Sequence, residues 1–139
     1  MPKILTRSAL SKGGRDGRIQ SRQGKLDLQM AKPKELGGED NEETNPEEIF
    51  AAGYSACFAS SLEYMLTKEE VSYASIEVEA EVHLVTDSND GGFKFDIDLH
   101  VTLEGPDENT SAKLIDQAYA FCPYSKAITN NVEVRIHRT

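Results

Sequence analysis

The sequence predicts an α+β fold, antiparallel β-sheet packed on helices, in one domain spanning residues 1–139. Three observations carry this. Residues 75–85 place Ile76, Val78, Ala80, Val82 and Leu84 on one face and Glu77, Glu79, Glu81 and His83 on the other. Residues 93–103 repeat the pattern with Phe93, Phe95, Ile97, Leu99, Val101 and Leu103 against polar partners. Such period-two alternation marks a half-buried strand. The third observation is a capped, strongly apolar helix ahead of the two strands.

In chain order, Ile4, Thr6 and Ser8 alternate weakly before Gly13-Gly14, where glycine makes a turn easy. From Gly24, Leu26, Leu28 and Met30 face away from Lys25, Asp27 and Gln29, so residues 1–31 read as a small antiparallel sheet. Pro33 to Thr44 has no periodicity and holds Gly37-Gly38 and the acidic group Glu39, Asp40, Glu42 and Glu43, which reads as a solvated loop. Asn45 then supplies an N-cap, Pro46 suits the first helical position, and Glu48 stands at the capping-box position. From Ile49 to about Leu66 this helix is apolar or small almost all round, which predicts cover on several sides, within the domain or across a dimer.

The turn-rich Asp87-Ser88-Asn89-Asp90-Gly91-Gly92 joins the two long strands as a hairpin. After Gly105-Pro106, Leu114, Ile115, Ala118 and Phe121 line one side of a second helix from about Asn109 to Phe121, which Pro123 punctuates. Val132, Val134 and Ile136 alternate as a final strand.

Composition narrows the function classes. The chain has 139 residues, 38% hydrophobic and 28% charged, so a conventional core is expected. Lys+Arg 15 against Asp+Glu 24 gives a formal charge of −9, which argues against nucleic acid or an acidic membrane surface as partner. The longest weakly charged run, Ile49 to Leu62, is too short to span a bilayer. Met1 to Arg7 has no apolar signal core, so the cytoplasm is the expected compartment, where cysteines are buried thiols or a redox pair rather than a permanent bridge.

The histidines, His83, His100 and His137, are not at ligand spacing from one another or from a cysteine, so they read as surface residues and no metal site is expected. No phosphate loop or dinucleotide fingerprint is present. The two cysteines remain. Cys57, inside the apolar helix, and Cys122, at the end of the second, are each open to a plain reading as small buried hydrophobes. A static bridge would be worth about 4 kcal/mol in the chain-entropy model but does not fit a reducing compartment.

As a nucleophile, Cys57 must be a thiolate, and at an ordinary pKa only about 3% is ionised at pH 7. The helix dipole does not help, because Cys57 lies about 18 Å along the axis from the Asn45 cap. A buried guanidinium would serve, and Arg15 and Arg18 are the candidates; Arg7, Arg22, Arg135 and Arg138 read as solvated charges. Such an arginine needs a carboxylate, and Glu47 is freer than the capping residue Glu48. Glu47 is about 15 Å from Cys57 along the same helix, so an arginine must bridge them or a two-fold partner must lay its own helix antiparallel alongside.

Thr44 to Phe58 (TNPEEIFAAGYSACF), Cys122 to Ala127 (CPYSKA), Gly13 to Gly17 (GGRDG) and Pro33 to Gly38 (PKELGG) together resemble the organic hydroperoxide resistance (Ohr) family of the OsmC-like superfamily, over almost the whole chain. The resemblance implies an OsmC-like fold, with sheets around a long central helix in an intertwined homodimer. It implies a cytoplasmic, cofactor-free thiol peroxidase that reduces organic hydroperoxides, lipid ones included, to alcohols. By position, Cys57 matches the peroxidatic cysteine, Cys122 the resolving cysteine, Arg15 the arginine that stabilises the thiolate, and Glu47 the glutamate that positions it.

The implied cycle runs from a sulfenic acid at Cys57 to a Cys57–Cys122 disulfide, reopened by dihydrolipoamide or a lipoylated protein. Phe50, Tyr54, Phe58, Phe121 and Tyr124 are candidates for an apolar substrate pocket, beside their plain role as core. Two features depart from the family pattern: the acidity of the loop before Thr44, and Arg18 as a rival to Arg15. The alternatives are an OsmC-like redox protein acting on another substrate, such as a reactive sulfur species, and a non-catalytic dimeric binding domain with structural thiols.

Overall fold

A computed structural model describes residues 1–39 and 43–139; Asp40, Asn41 and Glu42 of the acidic loop lie outside the described residues. The chain divides into two compact units, Met1–Ile49 and Phe50–Thr139.

In the first unit, β1 (Ala9–Lys12), β2 (Arg18–Ser21) and β3 (Asp27–Gln29) form an antiparallel sheet in that order. The expected sheet is present, with shifted edges. Ile4 is 97% exposed and precedes the first strand, because pairing with β2 begins at Ala9 opposite Ser21. Leu26 was expected inward but is exposed: its backbone is bound by Ser21 in the β2–β3 turn, through Leu26 N–H to Ser21 Oγ (3.0 Å) and Ser21 N–H to Leu26 O (2.9 Å). β2 has Ile19 as its only apolar residue, too little periodicity to be read from sequence.

A single 3-10 turn, Gly14–Asp16, joins β1 to β2 and carries Arg15. Gly13 (φ 91°) and Gly14 (φ 63°) both adopt the left-handed conformation that makes this tight reversal possible. Asp16 Oδ1 then accepts the Lys32 N–H (2.9 Å), tying the turn to the chain beyond β3.

Helix α1 (Pro46–Lys68) starts where cap chemistry predicts: Asn45 Oδ1 accepts the Glu48 N–H at 2.8 Å. The Glu48 carboxylate accepts from the Thr44 hydroxyl (2.8 Å), one residue before the cap.

In the second unit, β4 (Ser75–Thr86) and β5 (Phe93–Glu104) pair antiparallel along their whole lengths, as the alternation predicted. Next come α2 (Glu108–Phe121), α3 (Pro123–Ile128) and β6 (Glu133–Arg138). Two features depart from expectation. β6 pairs parallel to β5, not antiparallel, because the chain crosses over through two helices before returning. Pro123 also opens a helix as well as closing one: at N1 its missing N–H costs nothing.

The core of this unit lies on one face of the sheet. Ile97, Leu99 and Val101 of the central strand β5 meet Tyr54, Phe58, Leu62 and Leu66 of α1 and Leu114, Ile115 and Ala118 of α2. Each buried Val, Leu, Ile or Phe among them stabilises the fold by about 1.5–3 kcal/mol relative to exposure. The single chain buries one stripe of α1 rather than its whole circumference; Ala52, Ala56 and Ser60 are exposed, and their small side chains make that cheap.

Candidate active site: two thiols and an aromatic cluster

Cys57 sits on α1 beside the buried stripe, between Tyr54 and Phe58. Cys122 is fully buried at the corner where α2 ends and α3 begins, its extended backbone (φ −60°, ψ 125°) capping both helices. The corner brings the two sulfurs to 3.7 Å while both remain free thiols. That is sulfur–sulfur contact, and a modest approach would close the bond of about 2.05 Å.

Burial pushes the Cys57 thiol above its ordinary value; the Tyr124 backbone N–H opposes this, and Cys122 adds to the rise. These neighbours together favour the thiol over the thiolate.

Around the thiols, Tyr54 Oη and Ser125 Oγ share a fully buried 2.7 Å hydrogen bond. Burial drives the Tyr54 hydroxyl up to about 12, keeping it neutral. Tyr54 stacks on Tyr124 (ring centroids 5.8 Å apart), and Phe50 stands edge-on to Tyr54, Tyr124 and Phe95. A glycine in mid-helix has a reason here: a Cβ at Gly53 would overlap the Tyr124 hydroxyl and lie 3.0 Å from its Cζ.

Of the five aromatic candidates, Phe50, Tyr54 and Tyr124 come together. Phe58 is buried in the core, and Phe121 stacks instead on Tyr64 (4.7 Å), with Lys126 over its ring. Phe95 and Ser125 join the cluster without having been singled out. Phe95 reads only as an inward strand position and Ser125 only as part of the CPYSKA motif, and neither pattern places it beside Phe50 or Tyr54.

The arginine candidates separate by their partners. In the N-terminal unit, Arg15 and Glu47 form a bidentate pair, with N–O distances of 2.9 and 2.5 Å. Each holds the other charged: the Arg15 guanidinium lowers Glu47, and Glu47 raises Arg15. The rival Arg18 pairs with Asp27 (2.7 Å) between exposed side chains.

Arg135 is not the lone solvated charge that its sequence context suggested. On the outer face of the β4–β5–β6 sheet it bonds Asp96 (3.0 and 2.6 Å) and Asp98 (2.8 and 3.0 Å), and His83 and His137 also bond Asp98. The histidines, read as separate surface residues, are likewise engaged: His100 bonds Glu81 and stacks on His137 (4.8 Å). Cross-strand register accounts for this, since His83 opposes Asp96, Asp98 opposes Arg135 and His100 opposes His137. Among the described residues, two groups bring possible ligand atoms within 4.8 Å of one another: His83 with Asp96 and Asp98, and Glu79 with Glu81 and His100. In the first, Arg135 already neutralises the carboxylates.

Among the described residues, no helix is long and apolar enough to cross a membrane. A family profile described as "OsmC-like protein" matches residues 38–137. "Organic hydroperoxide resistance protein-like 2" of Staphylococcus epidermidis is 44% identical over 98% of this chain and 96% of its own length. "Organic hydroperoxide resistance protein OhrB" of Bacillus subtilis is 39% identical over 96% of each. Its crystal structure superposes with a TM-score of 0.89, covering 99% of this chain and 100% of that one at 37% identity. An organic hydroperoxide resistance protein OsmC from Legionella pneumophila gives a TM-score of 0.94 over 99% of both chains, also at 37% identity. The chain therefore belongs to the OsmC-like family, on its organic hydroperoxide resistance (Ohr) branch.

Proposed function

We propose that this protein is a cysteine-based peroxidase that reduces alkyl and lipid hydroperoxides to alcohols, with the whole chain acting as one domain in a cytoplasmic homodimer. The observation that carries the reading is the 3.7 Å contact between the free thiols of Cys57 and Cys122. Two thiols at that distance supply the two electrons that a hydroperoxide needs, so no cofactor is required.

In the first step the Cys57 thiolate attacks the distal peroxide oxygen. An S–O bond forms, the O–O bond breaks, and the departing alkoxide takes up a proton to leave as alcohol, with sulfenic acid on Cys57. Cys122 then attacks the Cys57 sulfur; the S–O bond breaks, the S–S bond forms, and hydroxide leaves as water. A dithiol such as dihydrolipoamide or a lipoylated protein reopens the bridge by exchange and departs as its own disulfide.

Arg15 is the cation that offsets the effect of burial on Cys57, and Glu47 orients it. Their bidentate contact supports this, since a guanidinium held at both nitrogens loses little further freedom in meeting a thiolate. Phe50 and Tyr124, backed by the buried ring of Tyr54, offer the apolar surface that favours an alkyl chain over hydrogen peroxide. The small residues exposed along α1, Ala52, Ala56 and Ser60, suit the close approach of a second copy's helix.

The test is stopped-flow consumption of cumene hydroperoxide with dihydrolipoamide as reductant. Cys57→Ser is expected to abolish turnover, and Cys122→Ser to reduce one equivalent and stop at a dimedone-trappable sulfenic acid. Consumption no faster than the free dithiol in wild type would refute the reading.

A further inference from the structure

Peroxide reduction and disulfide closure make and break bonds at the two sulfurs; neither makes or breaks the second contact that joins the same two segments. Tyr54 lies three residues before Cys57 on α1, and Ser125 lies three residues after Cys122 on α3. Their hydroxyls meet at 2.7 Å with both residues fully buried. The sulfurs and the hydroxyls are thus two rungs between the same pair of segments, spaced on each side by about one helical turn.

The hydroxyl rung is firmly anchored at both ends. The Ser125 carbonyl accepts both the Thr129 N–H (2.9 Å) and the Thr129 hydroxyl (2.6 Å), which fixes the short helix α3 internally. Tyr54 is stacked on Tyr124, the residue between Pro123 and Ser125. A buried hydroxyl pair is strongly directional, because either member alone is left unsatisfied. The sulfur rung, by contrast, must change length in each cycle, from contact to covalent bond and back.

We propose that the Tyr54–Ser125 hydrogen bond is a positioning device for disulfide closure: it pins the first turn of α3 to α1 and so holds the Cys122 sulfur within reach of Cys57. The assignment rests on the peroxidase reading for its physiological setting. Its target is the second chemical step, in which Cys122 displaces the group carried by the Cys57 sulfur. A misplacement of about 1 Å in such a step costs about 100-fold in rate.

The experiment follows release of thionitrobenzoate from 5,5′-dithiobis(2-nitrobenzoate) by stopped flow in wild type, Tyr54→Phe, Ser125→Ala and the double variant. The Cys57 thiolate breaks the reagent's S–S bond and releases one thionitrobenzoate. Cys122 then attacks the Cys57 sulfur of the mixed disulfide, releases the second and leaves the Cys57–Cys122 bond. The ratio of second-phase to first-phase rates is expected to fall at least about 10-fold in all three variants. Each single variant strands one buried hydroxyl, whereas the double variant removes both and is expected to melt near wild type.

Slow closure in a double variant that melts like wild type supports positioning. An unchanged ratio overturns the proposal, as does a ratio that recovers together with the melting temperature in the double variant, since the pair would then be packing alone. Failure of wild type to release the second thionitrobenzoate overturns it as well. Wild type that closes with this reagent but ignores cumene hydroperoxide refutes the peroxidase reading and leaves the positioning role standing.

Discussion

The two faces of the β4–β5–β6 sheet have opposite chemistry. The outer face holds Arg135, Asp96, Asp98 and three histidines, bound to one another across strands and open to solvent. On the other face, against α1 and α2, the cluster around the thiols consists of tyrosines, phenylalanines, a serine and two cysteines. The outer face has the features usually taken to mark a site, including an Asp98 carboxyl held far below the usual range, chiefly by Arg135 and then by His137 and His83. Yet Arg135, Asp96 and Asp98 already answer one another's charge, and such a network is a surface staple. The thiol cluster has little charge, and its two sulfurs stand in contact with no bond between them.

The sharpest test of this contrast compares two arginines that both grip carboxylates bidentately. Arg15→Ala is expected to slow hydroperoxide reduction about 100-fold, the usual scale for losing a charge-stabilising donor, while Arg135→Ala leaves it within about two-fold. Initial-rate kinetics on cumene hydroperoxide would decide, and a larger loss from Arg135→Ala would reverse the comparison. The pH profile adds a second reading. Burial raises the Cys57 pKa, so without Arg15 the rate should keep climbing with pH further into the alkaline range than in wild type.

A smaller effect tests packing. Gly53→Ala gains about 1 kcal/mol of helix propensity but drives a methyl into the Tyr124 ring, and overpacking costs about 1–3 kcal/mol. A net loss is expected in urea unfolding, whereas Glu77→Ala on the outer face should change stability by less than about 0.5 kcal/mol. Stabilisation by Gly53→Ala would mean that Tyr124 is free to swing away.

The smallest effect concerns the outer network in acid. Asp96 and Asp98 are held low by Arg135, so their contribution is complete above the ordinary carboxylate pKa of about 4 and is lost as pH falls through their depressed folded values. Asp98→Asn should therefore lower the melting temperature slightly at pH 6, with the gap closing in strong acid and shrinking at high salt. A gap unaffected by salt would show that the network is shielded from solvent and more than a surface staple.

What could be read from the residues alone was whatever depends on near neighbours in the chain. Alternation set the faces of β4 and β5, Asn45 and Pro46 marked the start of α1, and the motifs around Cys57 and Cys122 led to the family. Elimination among charges left Arg15 and Arg18 as candidates beside Glu47, the family resemblance pointed to Arg15, and the structure joins Arg15 to Glu47. The tertiary structure alone decided the rest. It made β6 parallel, gave Pro123 a helix to begin, and built the outer network from residues read as solitary. It also set the two sulfurs, 65 positions apart in the chain, in contact, and joined Tyr54 to Ser125 across 71. Periodicity and cap chemistry act over a few residues, whereas such meetings depend on how α1, α2 and α3 pack on the sheet, which no local pattern encodes.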